Sequence, residues 1–164
     1  MIFVTVGSVF PFDRLIRTMD DWAEKTGRGG DCLAQIGKGN YEPSHMEWHR
    51  TLPHDRFSAS MEQATVVVAH AGMGSVITAM SYACPIVLLP REFASGEHTT
   101  DHQMATARWL EDKPGVFIAW NETDLPGMIA TAEAWTGDGQ TLDPYAPSVF
   151  TDRIAAELKL WIKT

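Results

Sequence analysis

Two short stretches of this chain hold residues whose types and spacing could do chemistry. The first is His70-Ala71-Gly72-Met73-Gly74-Ser75, which follows the apolar run Val66-Val67-Val68-Ala69 and leads into a segment of helical character. A buried strand that opens through glycines onto a helix N-terminus aims backbone N–H groups and the positive end of the helix dipole at one point. The guest that suits it is an anion such as phosphate. Gly72 and Gly74, on either side of Met73, have no Cβ to clash and permit close backbone approach. Ser75 reads as the helix N-cap, with a hydroxyl to offer the same anion. The same residues also suit a tight strand-to-helix turn with nothing bound.

The second stretch runs from Arg91, just past the apolar run Ile86–Leu89, to Glu97-His98-Thr99-Thr100-Asp101-His102-Gln103. On a helix, His98 and His102 would share a face and, with Glu97 and a third ligand such as His70, would suit zinc and a metal-dependent hydrolase. Ser95-Gly96-Glu97 reads as loop, which weakens that pattern. Gly7-Ser8, after the first apolar run, invites a second anion or substrate contact; Gly37-Lys38-Gly39-Asn40 reads as a solvated polar loop. A dinucleotide fingerprint is incomplete, because Ile77 stands where its third glycine belongs and Leu89-Pro90 where its ribose acid belongs. Neither a P-loop nor a G-x-S-x-G nucleophile elbow is present.

The elements that must position these residues follow from hydrophobic periodicity. Strands are expected at Ile2–Val6, Cys32–Ile36, Trp48–Leu52, Thr65–Ala69, Ile86–Leu89 and Val116–Ala119. Helices are expected at Phe12–Lys25, Asp55–Gln63, Ser75–Tyr82, Thr100–Asp112 and Glu122–Trp135. Alternation of near-continuous apolar strands with helices predicts an α/β fold, a parallel sheet covered on both faces. Ligands of such sheets bind beyond the carboxyl ends of the strands, where the Gly7, His70 and Arg91 loops would meet. Thr136–Pro147 reads as loop by its Gly, Asp and Pro content. A last helix over 150–163 carries Phe150, Ile154, Leu158, Trp161 and Ile162 on one stripe, to pack on this domain or on a second chain.

Composition narrows the classes. The 164 residues suit one domain, and the formal net charge of -8 argues against a nucleic-acid binder. No apolar run approaches the ~20 residues of a membrane helix. The start, Met1-Ile2-Phe3-Val4-Thr5, reads as a strand and not as a signal peptide. Cys32 and Cys84 sit beside apolar runs and read as buried thiols of a reducing compartment.

Several motifs occur in order between Met1 and about Leu110. These are Val4-Thr5-Val6-Gly7, Gln35-Ile36-Gly37, His70–Ser75, Pro85–Pro90, and Gly96-Glu97-His98 followed by Asp101 to Ala107. Together they resemble the C-terminal domain of glycosyltransferase family 28. The likeness is greatest to its split members, the small catalytic subunit of the dolichol-pathway N-acetylglucosaminyltransferase and the PssE-like subunits of exopolysaccharide synthesis.

The resemblance implies one Rossmann-like half, the donor-binding one, of a GT-B fold. It implies a UDP-sugar donor carrying glucuronic acid, glucose or N-acetylglucosamine, and a polyprenyl-diphosphate-linked acceptor. The other half would be a membrane-anchored partner that recruits this cytoplasmic chain to the inner face of the membrane. No metal or other cofactor is implied. Gly72, Gly74 and Ser75 would hold the diphosphate. Asp101, His102 and Gln103 would contact the sugar and the ribose side, Phe57 would sit by the uracil, and Gly7 and Ser8 would face the acceptor. Many full-length members carry a ribose-gripping acid where this chain has Thr78; PssE-like sequences have threonine there too. Arg91, with His98 as second choice, is the expected partner of a glucuronate carboxylate. His70 is the local candidate for general base, which the partner subunit would otherwise supply. A non-catalytic nucleotide-sugar-binding subunit and the hydrolase using Glu97, His98 and His102 remain as alternatives.

Overall fold

The computed structural model describes residues 1–137, 146 and 148–162. Six parallel strands form one sheet: β1 (Ile2–Thr5), β2 (Cys32–Gln35), β3 (Glu47–His49), β4 (Val66–His70), β5 (Ile86–Leu89) and β6 (Val116–Ile118), in the spatial order β3-β2-β1-β4-β5-β6. The helices are α1 (Asp13–Thr26), α2 (His54–Gln63), α3 (Met73–Ser81), α4 (His102–Leu110), α5 (Leu125–Glu133) and α6 (Ser148–Ile162). The order reverses between β1 and β4, so the loops leaving those neighbours part to opposite sides and open a crevice.

Alternate residues of a strand point to opposite faces, and here both faces are apolar. Ile2, Val4, Val66, Val68, Val87 and Leu89 pack with Leu15, Ile16 and Met19 of α1 and Ile129 of α5. Phe3, Val67, Ala69, Ile86 and Leu88 pack with Met61 of α2, Val76 of α3, and Ala107 and Leu110 of α4. Both thiols are free and buried, and burial pushes each up to about 11, so neither is a thiolate at neutral pH.

Several boundaries differ from expectation. β3 ends at His49, short of the expected Leu52, because the Leu52 N–H goes to Gln35 Oε1 at 2.9 Å and Pro53 has none to give. The helix expected from Thr100 begins at His102, and the one expected from Ser75 begins at Met73. Residues 138–145, 147 and 163, which hold most of the expected Thr136–Pro147 loop and the end of the last helix, lie outside the described residues. In α6, Val149, Phe150, Ile154, Leu158 and Leu160 are all exposed, so the domain's own core does not bury the apolar stripe. No helix among the described residues is long and apolar enough to cross a membrane.

Candidate functional site

The crevice between the β1 and β4 loops is a cleft of about 760 Å³, large enough for a nucleotide-sized ligand. Its floor is the carboxyl edge of the sheet, with Thr5 and Gln35. One wall comes from the β1 loop (Gly7 to Phe10), one from the start of α3 (Gly72, Gly74, Ser75, Thr78), one from the β3–α2 turn (Thr51, Leu52, His54, Phe57, Ser58), and one from Arg91, His98, His102 and Gln103.

The α3 wall is an uncapped helix N-terminus. Gly72 is the N-cap, in extended conformation, and no side chain caps the helix. Ser75, expected as the cap, lies a turn inside it instead. Intrahelical bonding begins with the Val76 N–H on the Gly72 carbonyl, which leaves the Met73, Gly74 and Ser75 N–H groups for a ligand. The two glycines serve different ends. A Cβ on Gly74 would meet nothing within 4 Å, so the space over the helix end is open. A Cβ on Gly72 would lie 2.3 Å from His70 Nε2, so Gly72 makes room for the imidazole. Gly7, at φ +74°, does the same from the β1 loop; its Cβ would lie 2.9 Å from His70 Cε1. The Met73 side chain is 40% exposed and does not line the cleft.

His70 is thus wedged under the cleft. Burial and the neighbouring Arg91 cation bring its pKa down to about 4, so the ring is neutral at pH 7. Its Nδ1 is buried without a hydrogen-bond partner among the described residues.

Arg91 is 2% exposed. Its Nη2 donates to the Val6 and Phe10 carbonyls, both at 2.8 Å, and its guanidinium stacks 4.9 Å from the Phe12 ring centroid. Burial lowers its pKa to about 10, against an opposing pull from Glu97, so it stays cationic. With Nη2 engaged beneath the β1 loop, Arg91 is less open to a sugar carboxylate than expected. His98 is the more accessible group on that wall. Its ring lies tilted against Phe10 at 4.8 Å and edge-on to His102 at 4.3 Å. Its Nδ1 accepts the Thr99 N–H, which leaves Nε2–H to donate. Burial, then His102 and Arg91, lower its pKa.

Gln103 is buried on the same wall, and its Oε1 accepts the Arg91 N–H. Asp101 departs from expectation. Its Oδ1 accepts the Phe93 N–H, and it lines a separate depression with Met104 and Arg108. The zinc set of the alternative reading is not assembled, although the His98 and His102 rings touch. Both Glu97 oxygens are held by Arg14, and His98 precedes α4 and does not share its face with His102. No group of three metal-ligating side chains occurs among the described residues.

Sequence reasoning missed the floor and the far wall: Thr5, Gln35, Thr51, Leu52, His54, Ser58, and Val9 and Phe10. The available signal was a polar residue, Gln35, ending an apolar strand. Phe57 lines the cleft, edge-on to Phe3 at 5.4 Å. In a chain of net charge -8, the lining has one arginine, four histidines and, among the described residues, no carboxylate.

Residues 1–126 match the family model described as the glycosyltransferase family 28 C-terminal domain. The chain belongs to that family. Its fold is the Rossmann-like α/β unit that forms one domain of GT-B glycosyltransferases. The calicheamicin glycosyltransferase CalG4 superposes with a TM-score of 0.64 at 17% identity, over 96% of this chain and 43% of CalG4. A UDP-glucose: anthocyanidin 3-O-glucosyltransferase, solved in complex with UDP, superposes with a TM-score of 0.59 at 15% identity, over 82% of this chain and 31% of its own. This family 28 chain therefore spans less than half the length of those enzymes. ALG13, solved by NMR, matches at its own size: TM-score 0.55, 16% identity, 93% of both chains.

Proposed function

We propose that this chain is the donor-binding catalytic subunit of an inverting glycosyltransferase, with a UDP-sugar as donor. The observation that carries the reading is the uncapped α3 N-terminus opening into a cleft that has no carboxylate among the described residues. Unpaired N–H groups and the helix dipole would hold a diphosphate without a metal ion, and would stabilise the charge that develops as UDP departs. The UDP of the structural relative supports a uridine nucleotide, with the base beside Phe57, His54 and Leu52.

The acceptor hydroxyl oxygen forms its bond to the anomeric carbon as the bond to the diphosphate oxygen breaks, with inversion. The acceptor proton goes to a general base. His70, neutral and with a pKa of about 4, is a poor proton acceptor at pH 7, which favours a base on a partner. The match to ALG13, which covers 93% of both chains, supports such a partner. It would be a membrane-anchored subunit carrying the acceptor-binding half and a polyprenyl-diphosphate-linked sugar, at the inner membrane face, in exopolysaccharide or glycolipid synthesis. The sugar is glucuronic acid, glucose or N-acetylglucosamine; the Nε2–H of half-buried His98 and the amide of Gln103, both on the cleft wall, would choose among them.

Thermal unfolding with UDP, these three UDP-sugars, NAD and zinc, each with and without chelator, tests the reading. A ligand at ~100 times its Kd adds ~2.7 kcal/mol, and each kcal/mol moves the midpoint by roughly 2–4 °C. A chelator-insensitive shift with uridine nucleotides alone is expected. A zinc shift without a uridine response overturns it.

A further inference from the structure

Two arginines tie the β5 loop to the β1–α1 side of the cleft, Arg91 from within the cleft wall and Arg14 from outside it. Arg91, after β5, reaches back to the Val6 and Phe10 carbonyls. Arg14, on the first turn of α1, reaches forward to the β5 loop. Its Nε donates to Glu97 Oε1 and its Nη2 to Glu97 Oε2, both at 2.7 Å, and Nη2 also donates to the Pro90 carbonyl at 2.9 Å. Arg14 does not line the cleft.

Glu97 is the centre of this arrangement. Its Oε2 also accepts the Glu92 N–H at 3.0 Å, and its own N–H donates to the Glu92 carbonyl, so residues 92–97 close on themselves around one carboxylate. The side chains of Arg14 and Glu97 are 16% and 12% exposed. The two-pronged geometry is available to a guanidinium and not to an ammonium group. The segment between β5 and α4 has no regular secondary structure, and its path is set by side-chain anchors: Gln103 on the Arg91 N–H, Asp101 on the Phe93 N–H, and the Arg14–Glu97 pair between them. The next residue is His98, which this path delivers onto Phe10 and His102 inside the cleft.

We propose that Arg14 and Glu97 form a latch that positions the sugar-reading wall of the cleft, so that both are positioning residues for donor recognition although neither touches the donor. The diphosphate site stands on α3 and is independent of the latch. Loss of the latch therefore separates recognition of the sugar from recognition of UDP. This inference rests on the UDP-sugar reading above.

The test uses the full chain as wild type, Arg14→Met, Arg14→Lys, Glu97→Gln and the double variant Arg14→Met with Glu97→Gln. Calorimetric affinities are measured for UDP and for the UDP-sugar that binds wild type most tightly among the three above, alongside hydrogen exchange at Glu92 and Phe93. Arg14→Met is expected to keep wild-type UDP affinity, to lose about tenfold in UDP-sugar affinity, and to exchange faster at both amides. Arg14→Lys should fall between and supplies the same readout if Arg14→Met does not fold. Arg14 Nη1 also donates to Glu122 Oε2 at 3.3 Å and Glu97 also holds the Glu92 N–H, so the double variant should lose less than the sum of the two single losses, the shared bond being counted once. Equal weakening of UDP and UDP-sugar, additive effects, or unchanged loop exchange in a folded variant overturns the latch. Wild type that binds no uridine nucleotide overturns the donor reading and with it this use of the latch, whereas hydrogen exchange still reports on the brace itself.

Discussion

Gln103 Oε1 accepts the backbone N–H of Arg91 at 3.1 Å, and this one bond fixes which way the buried amide faces. With the oxygen held, the NH2 group is the face left for the cleft, so Gln103 acts there as a donor of hydrogen bonds. A Gln103→Glu variant keeps an acceptor for Arg91 but replaces the donor with a carboxylate beside a bound dianion. It should weaken UDP-sugar binding by about 1.5–3 kcal/mol at pH 7. Calorimetric affinity showing no loss removes Gln103 from the donor site.

The two glycines of the α3 turn should respond oppositely to alanine. Gly74→Ala adds a methyl group to open space inside a helix, so Tm should hold or rise, helix propensity favouring alanine by up to ~1 kcal/mol. The same methyl group narrows the approach to the helix end, and a bulkier Gly74→Val should abolish UDP binding. Gly72→Ala forces a Cβ to within 2.3 Å of His70 Nε2 and should lower Tm instead. Unchanged UDP affinity in folded Gly74→Val would sink the phosphate-site assignment.

His70 makes stability depend on pH in a defined window. Its pKa falls from 6.5 to about 4 on folding, chiefly through burial and then through Arg91. The unfolded chain takes up a proton near 6.5, which the folded chain resists until about 4. The contribution is thus complete above about pH 6.5 and is lost as pH falls towards 4, reaching about 3 kcal/mol. Urea unfolding of wild type and His70→Asn at pH 7 and pH 4.5 measures it; equal pH dependence in both proteins contradicts it.

Asp20 sets a lower window. It is 1% exposed, and burial alone would raise its pKa. The Ser44 N–H, the Tyr41 hydroxyl and the His45 N–H outweigh that, at 3.0, 2.7 and 2.8 Å, and hold it below the usual 3.8. Its contribution is present above 3.8 and is lost as pH falls through the depressed value. Asp20→Asn should cost about 1–3 kcal/mol at pH 7, with the deficit shrinking below pH 3.8. Chemical denaturation across that range checks both the size and the sign.

The exposed stripe on α6 makes a separable prediction. Since none of its described apolar side chains is buried, ending the chain after Gly137 should leave Tm nearly unchanged. Association with a second chain should be lost. A large fall in Tm would show that α6 belongs to this domain's core.

The strand–helix alternation, the doubly apolar strands and the glycine turn at 72–74 were all legible in the sequence, because each is a local pattern. Continuous apolar runs such as Val66–Ala69 report burial on both faces, and glycines before a segment of helical character report a helix start suited to an anion. Helix and strand ends were less legible where a distant side chain set them, as Gln35 does for Leu52. Charges were the least legible. Arg14 and Glu97 are 83 residues apart and meet only because the sheet order carries the β1 and β5 loops to one edge. The same order buries Arg91 beneath Val6 and Phe10, turns Asp101 out of the cleft, and removes Glu97 from any metal set. Ionic and hydrogen-bond partners depend on where loops converge in space, and hydrophobic periodicity carries no information about that.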